Sequence, residues 1–248
     1  MIMDWITPNW PAPSNVKAIS TTRMGGVSLP PYNCLNLSKD VGDNSEHVTK
    51  NRALFAKTMQ MASTPVWLNQ VHGTKVVTLP LSSTSLIPVA DGSYTREVGQ
   101  VCTIMTADCL PVLFCDKAGT QVAAVHAGWR GLLNGVLEQA LSHFTNPHHV
   151  MVWLGPALGA SVFEVGGEVR EQFIISDSST DIAFIPQNDR WLADIYLLAS
   201  HRLNQFGKIN IYGGDLCTVS ASDRFFSYRV AHKTGRQASC IWITPRSY

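Results

Sequence analysis

Short apolar runs separated by turn-forming residues dominate the pattern of hydrophobic and polar positions along the chain. Three of these runs follow one another in the middle of the sequence and predict three strands, at 100–106, 110–115 and 121–125. Other short runs predict strands at 16–22, 66–68, 150–154, 209–212 and 238–243, with 75–79 as the hairpin partner or neighbour of 66–68. The middle of the chain therefore carries the strongest β signal.

Helices are predicted where apolar residues recur at helical spacing. Such segments lie at 46–61, which lacks glycine and proline, at 132–144, after Gly166-Gly167, and at 191–206, where Gly207 provides the stop. No repeat of fixed period and no low-complexity linker interrupts this order. The alternation predicts one α/β domain with a mixed sheet over residues 1–248.

Length and composition narrow the class of protein. A chain of 248 residues can bury about three quarters of the surface that it exposes when unfolded. With 45% apolar and 15% charged residues it is globular and not disordered. The formal net charge of +1 argues against a broad nucleic-acid-binding surface, so small anions are the favoured partners.

Cysteine usage and hydropathy indicate the compartment. The six cysteines form no C-x-x-C pair, which favours free thiols in a reducing environment. The first ten residues lack the basic region of a secretory signal, and charged residues interrupt the apolar region 101–129, so neither a signal peptide nor a membrane span is predicted. We expect a soluble cytoplasmic protein.

Three residues suggest a metal site: His72, Cys109 and His126. Two imidazoles and a thiolate suit a divalent metal such as zinc, and three protein ligands leave a fourth position for water or substrate. The three lie far apart in the chain and are predicted at or near strand ends, so the fold must bring them together.

Four charged residues, Asp108, Arg23, Arg229 and Arg236, are further candidates for the site. Asp108 places a carboxylate in an apolar strand pair, where an unpaired charge would be costly. Arg23, Arg229 and Arg236 lie in loops, and a planar guanidinium can pair with both oxygens of a phosphate or carboxylate. We expect these arginines to act as anion clamps.

Several ordered motifs across nearly the whole chain closely resemble the polyphenol oxidase/laccase-domain family, whose members are now viewed largely as purine nucleoside phosphorylases. They are TTRMGGVS at 21–28, PYNCLNL at 31–37, VGD at 41–43, QVHG at 70–73, TADCLP at 106–111, HAGWRG at 126–131 and GP at 155–156. The resemblance implies a four-layer α/β/β/α arrangement of mixed β-sheets and zinc ligands at His72, Cys109 and His126. The family often has serine in place of Cys34 and Arg-Arg-Asp in place of residues 229–231, which puts the role of that loop in doubt.

The resemblance also implies phosphorolysis of adenosine, inosine and methylthioadenosine to the free base and ribose 1-phosphate. We expect Arg23 with Arg229 or Arg236 to clamp phosphate, and Asp108 with the metal to polarise or protonate the purine. Asn36 and Gln70 are expected to contact the substrate. A metal-activated hydroxide attacking the purine C6 carbon would add adenosine deaminase activity.

Three other functions stay open. Cys109 as nucleophile, with His126 or His72 as base and Asp108 as orienting group, would make a hydrolase or amidase acting on peptidoglycan precursors. A copper-binding polyphenol oxidase is disfavoured, because the eight histidines include no His-x-His pair, although a single copper could bind in vitro. A non-catalytic nucleoside- or metal-binding module is the third. The sequence leaves the oligomeric state and the preferred nucleoside open.

Overall fold

The structure is a computed structural model that describes residues 2–82 and 87–246. Within those ranges the helices are α1 (Ser45–Thr58), α2 (Trp129–Leu133), α3 (Val136–Leu141), α4 (Gly167–Ser176) and α5 (Ile195–Asn204). The strands are β1 (Trp5–Ile6), β2 (Val16–Thr21), β3 (Val76–Leu79), β4 (Gly92–Thr95), β5 (Val101–Thr106), β6 (Leu110–Asp116), β7 (Val122–Ala127), β8 (Val150–Leu154), β9 (Glu164–Val165), β10 (Phe184–Gln187), β11 (Arg190–Ala193), β12 (Asn210–Gly213) and β13 (Gln237–Ile243). None of the described helices has the length and apolar character needed to span a bilayer.

A six-stranded mixed sheet in the order β12-β8-β6-β7-β4-β3 forms the centre of the molecule. Its inner pairs are antiparallel, whereas β12 with β8 and β3 with β4 are parallel. Alternate residues of β6 point to opposite faces: Phe114 packs with Leu137 and Leu198 of the helices, and Leu113 packs on the other side. Since both faces are buried, β6 is a continuous apolar run.

A four-stranded antiparallel sheet, β1-β2-β13-β5, lies against the other face of the central sheet. Ile104 of β5 and Ile241 of β13 point inward, into the cluster that contains Leu113. Met105 and Cys240 point outward, into the cluster that contains Phe55 of α1. The layers are therefore helices, six-stranded sheet, four-stranded sheet and helix, which confirms the predicted mixed α/β/β/α arrangement. A small antiparallel sheet, β10-β11-β9, packs beside α4.

The predicted helix at 191–206 is wrong over its first part. Trp191 and Leu192 lie in β11, which pairs with β10 and β9. The helix begins at Ile195, where the side chain of Asp194 caps it by accepting a hydrogen bond from the N–H of Leu197. An apolar strand that runs directly into an amphipathic helix mimics one longer helical stripe, and this explains the error.

The predicted helix at 132–144 is observed as two short helices, α2 and α3. Gly135 between them has φ +95°, a left-handed conformation that glycine adopts at little cost. Arg202 of α5 holds both sides of the break, donating to the carbonyl of Leu133 and to Glu138 Oε1. The apolar stripe identified the buried face correctly, but the break depends on a contact from a distant helix.

Two predictions around residues 66–79 also need correction. The segment 66–68 forms no strand and makes only an isolated bridge between Val66 and Cys102. β3 is present but is no hairpin partner of 66–68; it pairs in parallel with β4. The sequence pattern missed β4 because its Ser93 and Thr95 are polar, although both are buried.

Candidate functional site

Cys109 lies in the link at which the chain passes from β5 in the four-stranded sheet to β6 in the six-stranded sheet. Asp108 beside it has φ +91°, which is uncommon for a residue other than glycine. Two hydrogen bonds hold its buried carboxylate: Oδ1 accepts from Thr218 Oγ1 at 2.6 Å, and Oδ2 accepts from the N–H of Arg229 at 2.7 Å. This fixed turn presents the half-buried thiol of Cys109 to a cavity.

His126 lies near the end of β7, inside the strand and not beyond it. Its Nδ1 is 2.8 Å from Oδ1 of Asp91, and its backbone N–H donates to the carbonyl of Asp91 at 2.7 Å. Asp91 is completely buried and directly precedes β4, the strand that pairs with β7. Because Nδ1 faces a carboxylate, Nε2 is left as the ligand atom of this ring.

The same carboxylate positions His72. The backbone N–H groups of Val71, His72 and Gly73 donate to the two Asp91 oxygens at 3.2, 2.9 and 2.7 Å. His72 takes a left-handed φ of +60° in this loop. Burial alone would raise the pKa of Asp91, but the hydrogen bonds from His126 and the loop hold it below its usual value. Asp91 therefore orients both candidate histidine ligands.

The sequence analysis missed Asp91. The Asp-Gly dipeptide at 91–92 is typical of turns, which concealed a buried carboxylate at a strand start. The usable signal was the one that drew attention to Asp108, namely that an acid in buried surroundings needs donors.

The predicted ligands do come together: the ligand atoms of His72, Cys109 and His126 all lie within 4.8 Å of one another. Zinc–sulfur and zinc–nitrogen bonds of about 2.3 and 2.1 Å, at a tetrahedral angle, place the two donor atoms about 3.6 Å apart. The observed separation of Cys109 Sγ and His72 Nε2 is 3.7 Å. The donor types and this distance fit a zinc-sized divalent ion.

Gly128 explains how the group packs so closely. A Cβ atom at this position would lie 2.8 Å from Cδ2 of His72 and 3.1 Å from Sγ of Cys109. Any side chain here would have to push the ligands apart. Gly128 also starts α2, so the first turn of that helix rests directly on the donor group.

Cys109 and His126 shift each other's pKa. Burial opposes ionisation of Cys109, but the imidazoles of His126 and His72 lower the pKa of its thiol below the usual value. Burial likewise opposes a charged His126, and the Cys109 thiolate together with the Asp91 carboxylate raises its pKa. The site therefore favours the thiolate, which is the form of cysteine that binds metals.

The donor group opens into a cavity of about 560 Å³, a volume in the range of small-molecule sites. Asp108, Gln70, Trp129, Arg229 and Arg236 also line it. Gln70 is held rigidly, because its side-chain amide both donates to and accepts from the backbone of Met105, at 2.8 and 2.7 Å. The cavity thus combines metal donors, cations, an amide and an aromatic ring.

Three arginines line the cavity, Arg130, Arg229 and Arg236, and Arg236 is the most buried of them. Its guanidinium donates from Nη1 to the carbonyls of Thr234 and Gly235, and burial lowers its pKa. No carboxylate in the described ranges forms an ion pair with it within 4.0 Å. Arg229 donates from Nη2 to the carbonyl of Glu164 at 3.1 Å and is likewise without an ion pair there. Both retain guanidinium N–H groups for an anion.

Arg23 and Asn36 do not line this cavity, contrary to expectation. The Arg23 guanidinium donates to the carbonyls of Asn33 and Ser222, both at 2.9 Å, and stacks over Phe226. Arg23 thus resembles Arg236 in donating to two carbonyls, but it lies outside the cavity lining. Asn36 is completely buried and bonded to backbone and Asp43.

The chain matches a protein family described as multi-copper polyphenol oxidoreductase laccase over residues 17–244. It is 53% identical over 242 residues to the purine nucleoside phosphorylase YfiH of Escherichia coli (strain K12), covering 96% of this chain and 98% of that protein. It is 46% identical to a purine nucleoside phosphorylase of Haemophilus influenzae, covering 97% and 100%. Among solved structures, Neisseria meningitidis protein NMB0706 matches with a TM-score of 0.92 and 45% identity over 97% of this chain and 99% of that one. YlmD from Geobacillus stearothermophilus matches with a TM-score of 0.86 and 27% identity over 97% and 96%.

Proposed function

The chain belongs to the family described as multi-copper polyphenol oxidoreductase laccase, and we propose that within it the protein is a zinc-dependent purine nucleoside phosphorylase. The expected substrates are adenosine, inosine and methylthioadenosine, with inorganic phosphate as the second reactant. The names of the relatives in Escherichia coli and Haemophilus influenzae support this proposal. The family description mentions several copper ions, but the described part of the chain contains one group of three or more clustered metal donors, His72, Cys109 and His126.

One observation carries the proposal: the His–Cys–His donor group and three arginines without a carboxylate ion pair in the described ranges, Arg130, Arg229 and Arg236, line the same cavity. Phosphorolysis needs both parts. Negative charge develops on the departing purine, and a phosphate must be held beside the anomeric carbon. A guanidinium partly removed from water pairs strongly with phosphate, and Arg236 is placed in this way.

The reaction can be written with the residues present. An oxygen of hydrogen phosphate forms a bond to C1′ of the ribose as the bond from C1′ to the purine nitrogen breaks; the purine leaves with the electron pair and takes up the proton that the phosphate gives up. Arg229 and Arg236 would hold the phosphate, which converts a bimolecular encounter into an oriented one. When bound, zinc supplies a Lewis acid that stabilises negative charge on the purine.

For Asp108 we propose a role other than the expected one. Both of its oxygens already accept hydrogen bonds, one from Thr218 and one from the backbone of Arg229. We therefore assign it to holding Arg229 next to Cys109, and not to transferring a proton. Gln70, fixed on the backbone of Met105, contributes a rigid wall.

A second candidate function has a specific observation in its favour. Cys109, His126 and Asp91 form a relay in which the imidazole lies between a thiol and a buried carboxylate, the arrangement used by thiol hydrolases. The orienting acid would be Asp91 and not Asp108. A cysteine hydrolase or amidase that acts on peptidoglycan precursors thus remains an alternative chemistry of the same residues.

Turnover assays with controlled metal content separate these functions. The protein is stripped with a chelator, restored with zinc, and incubated with each nucleoside with and without phosphate. Phosphorolysis predicts free base and ribose 1-phosphate only with phosphate and zinc. Conversion of adenosine to inosine without phosphate would reveal the additional deaminase activity.

The contrary results are equally specific. If no nucleoside is consumed in any metal state, the phosphorylase proposal fails. Activity on a peptide precursor that persists in metal-free protein and is abolished by a thiol alkylator would establish the hydrolase. A Cys109→Ala variant should lose zinc and turnover together while remaining folded, because the half-buried thiol is not part of a hydrophobic cluster.

A further inference from the structure

A single buried amide connects two separate segments that line the cavity. Oδ1 of Asn36 accepts a hydrogen bond from the N–H of Arg236 at 2.9 Å and one from the N–H of Ser38 at 3.0 Å. Arg236 lies just before β13, whereas Ser38 begins the loop that lines the cavity through Asp40. These segments are about two hundred residues apart in the chain, and Asn36 bonds to both.

The donor side of the same amide is also used. Nδ2 of Asn36 donates to the carbonyl of Ser38 at 3.0 Å and to Oδ2 of Asp43 at 2.9 Å. Asn51 of α1 donates to the carbonyl of Asn36 at 2.8 Å, so the segment is fixed to the helix layer. Every polar atom of the Asn36 side chain thus has a protein partner, which leaves none for a substrate.

Close packing reinforces the connection. A Cβ atom at Gly235 would lie 2.9 Å from Cβ of Asn36, so only glycine allows the chain to pass this near. Because Gly235 precedes Arg236 and its carbonyl accepts from the Arg236 guanidinium, the backbone that Asn36 holds also shapes the arginine side chain.

We propose that Asn36 is a positioning residue of the anion subsite: it fixes the backbone of Arg236 relative to the 38–41 loop so that the guanidinium meets phosphate inside the cavity. The proposal rests on phosphate being a reactant, as in the proposed function. It replaces the expected direct contact between Asn36 and substrate with an action through Arg236. Small displacements of a positioned group are costly in rate and affinity, which is why such a residue matters without touching the ligand.

The test compares Asn36→Ala with Asn15→Ala in the zinc-loaded enzyme. Asn15 is a matched control, because it is also buried and also donates to a backbone carbonyl, that of Gly119 at 2.9 Å, yet it does not line the cavity. Hydrogen exchange should rise at the peptides 37–41 and 234–237 in Asn36→Ala, and at neither in Asn15→Ala. The KM for phosphate should increase about tenfold in Asn36→Ala, with a smaller change in the nucleoside KM.

A paired variant covers the case in which Asn36→Ala does not fold. Asn36→Asp keeps the acceptor for Arg236 and Ser38 but places a carboxylate against Asp43, and Asp43→Asn restores a donor to that contact. The double variant should recover part of the phosphate affinity that Asn36→Asp loses, since the lost hydrogen bond to the Ser38 carbonyl is not restored. No recovery would contradict the proposal.

Other outcomes are decisive as well. Unchanged exchange in both peptides, or a phosphate KM within twofold of the unmodified enzyme, would overturn the positioning role. An equal loss of phosphate affinity in Asn15→Ala would show that the effect of Asn36→Ala is general destabilisation, and this would also contradict the positioning role. If the unmodified enzyme neither consumes nucleosides nor binds phosphate in calorimetry, the proposed function fails, and the exchange data still show whether Asn36 holds the two segments.

Discussion

Replacing Asp91 with asparagine should weaken metal binding through two ligands at once. The change is nearly isosteric, but one carboxylate oxygen becomes an NH₂ group. Whichever oxygen is lost, two N–H donors lose their acceptor: His126 Nδ1 and the His72 amide, or the amides of Val71 and Gly73. Loss of the acceptor for the buried His126 ring should lower the free energy of unfolding by about 1–3 kcal/mol, whereas loss of the other oxygen should cost less because the loop at Val71 is exposed.

The effect on the metal is a separate quantity. Partners that orient metal-ligating histidines typically contribute about 10–100-fold in affinity, or about 1.4–2.7 kcal/mol. Competitive titration of zinc against a chelator would measure the affinity, and denaturant unfolding of the metal-free protein would measure the folding term. Keeping the two measurements apart is essential, because bound metal also stabilises the folded state.

Asp116→Asn provides the matched control. Asp116 is also buried, and its carboxylate accepts hydrogen bonds from Thr120 and Gln121 at the other end of β6. It should lose comparable stability and keep its zinc affinity. If Asp91→Asn binds zinc within threefold of the unmodified protein, or if Asp116→Asn weakens zinc equally, the assignment of Asp91 as the orienting group is refuted.

Three further predictions follow from the same geometry. Gly128→Ala should lower zinc affinity about tenfold with little loss of stability in the metal-free protein, because the new methyl group would displace His72; calorimetry with zinc measures this, and unchanged affinity would contradict the packing. Arg236→Gln should raise the KM for phosphate by about tenfold or more while zinc content, measured by atomic absorption, stays unchanged, whereas a normal phosphate KM would exclude the proposed clamp. In metal-free protein, alkylation of Cys109 should begin at a lower pH than alkylation of ordinary thiols. The pKa of the Cys109 thiol is lowered in the folded state, so the reactive thiolate persists until the pH falls through that pKa. Bound zinc should protect Cys109 from alkylation. Burial raises the pKa of Cys102 to about 12, so Cys102 should stay unmodified in the same mass-spectrometric measurement, and equal labelling would contradict the assignment.

The central strands could be predicted because buried strands in this fold are continuous apolar runs, whereas the four-layer arrangement was implied by the family resemblance. β5, β6 and β7 were found within a residue or two of their observed bounds. The sequence pattern did not predict elements whose bounds depend on contacts with residues distant in the chain. β4 is polar yet buried between β7 and β3, and the break between α2 and α3 is held by Arg202 from α5.

The candidate site also has a part that could be predicted from the sequence and a part that could not. The metal donors were predictable, since His72, Cys109 and His126 have side chains that bind metals and glycines follow the two histidines. Asp91 was not predicted, because its bonds to the His126 ring and to the backbone of residues 71–73 join segments that are distant in the sequence. Asn36 was expected to contact the substrate, but its buried amide lies outside the cavity lining and bonds to the backbone of Ser38 and Arg236.

The backbone at His72 bears on the choice between metal and thiol chemistry. A cysteine hydrolase needs one imidazole, and His126 with Asp91 already supplies it. The second imidazole, that of His72, lies 3.7 Å from the sulfur and would have no role in such a hydrolase. Yet three hydrogen bonds hold its loop to Asp91, and His72 itself has φ +60°. Left-handed backbone at a residue other than glycine has an energetic cost and tends to persist where the surrounding structure and the function require it. A metal ion gives both imidazoles a task, so the position of His72 favours the zinc site over the thiol nucleophile.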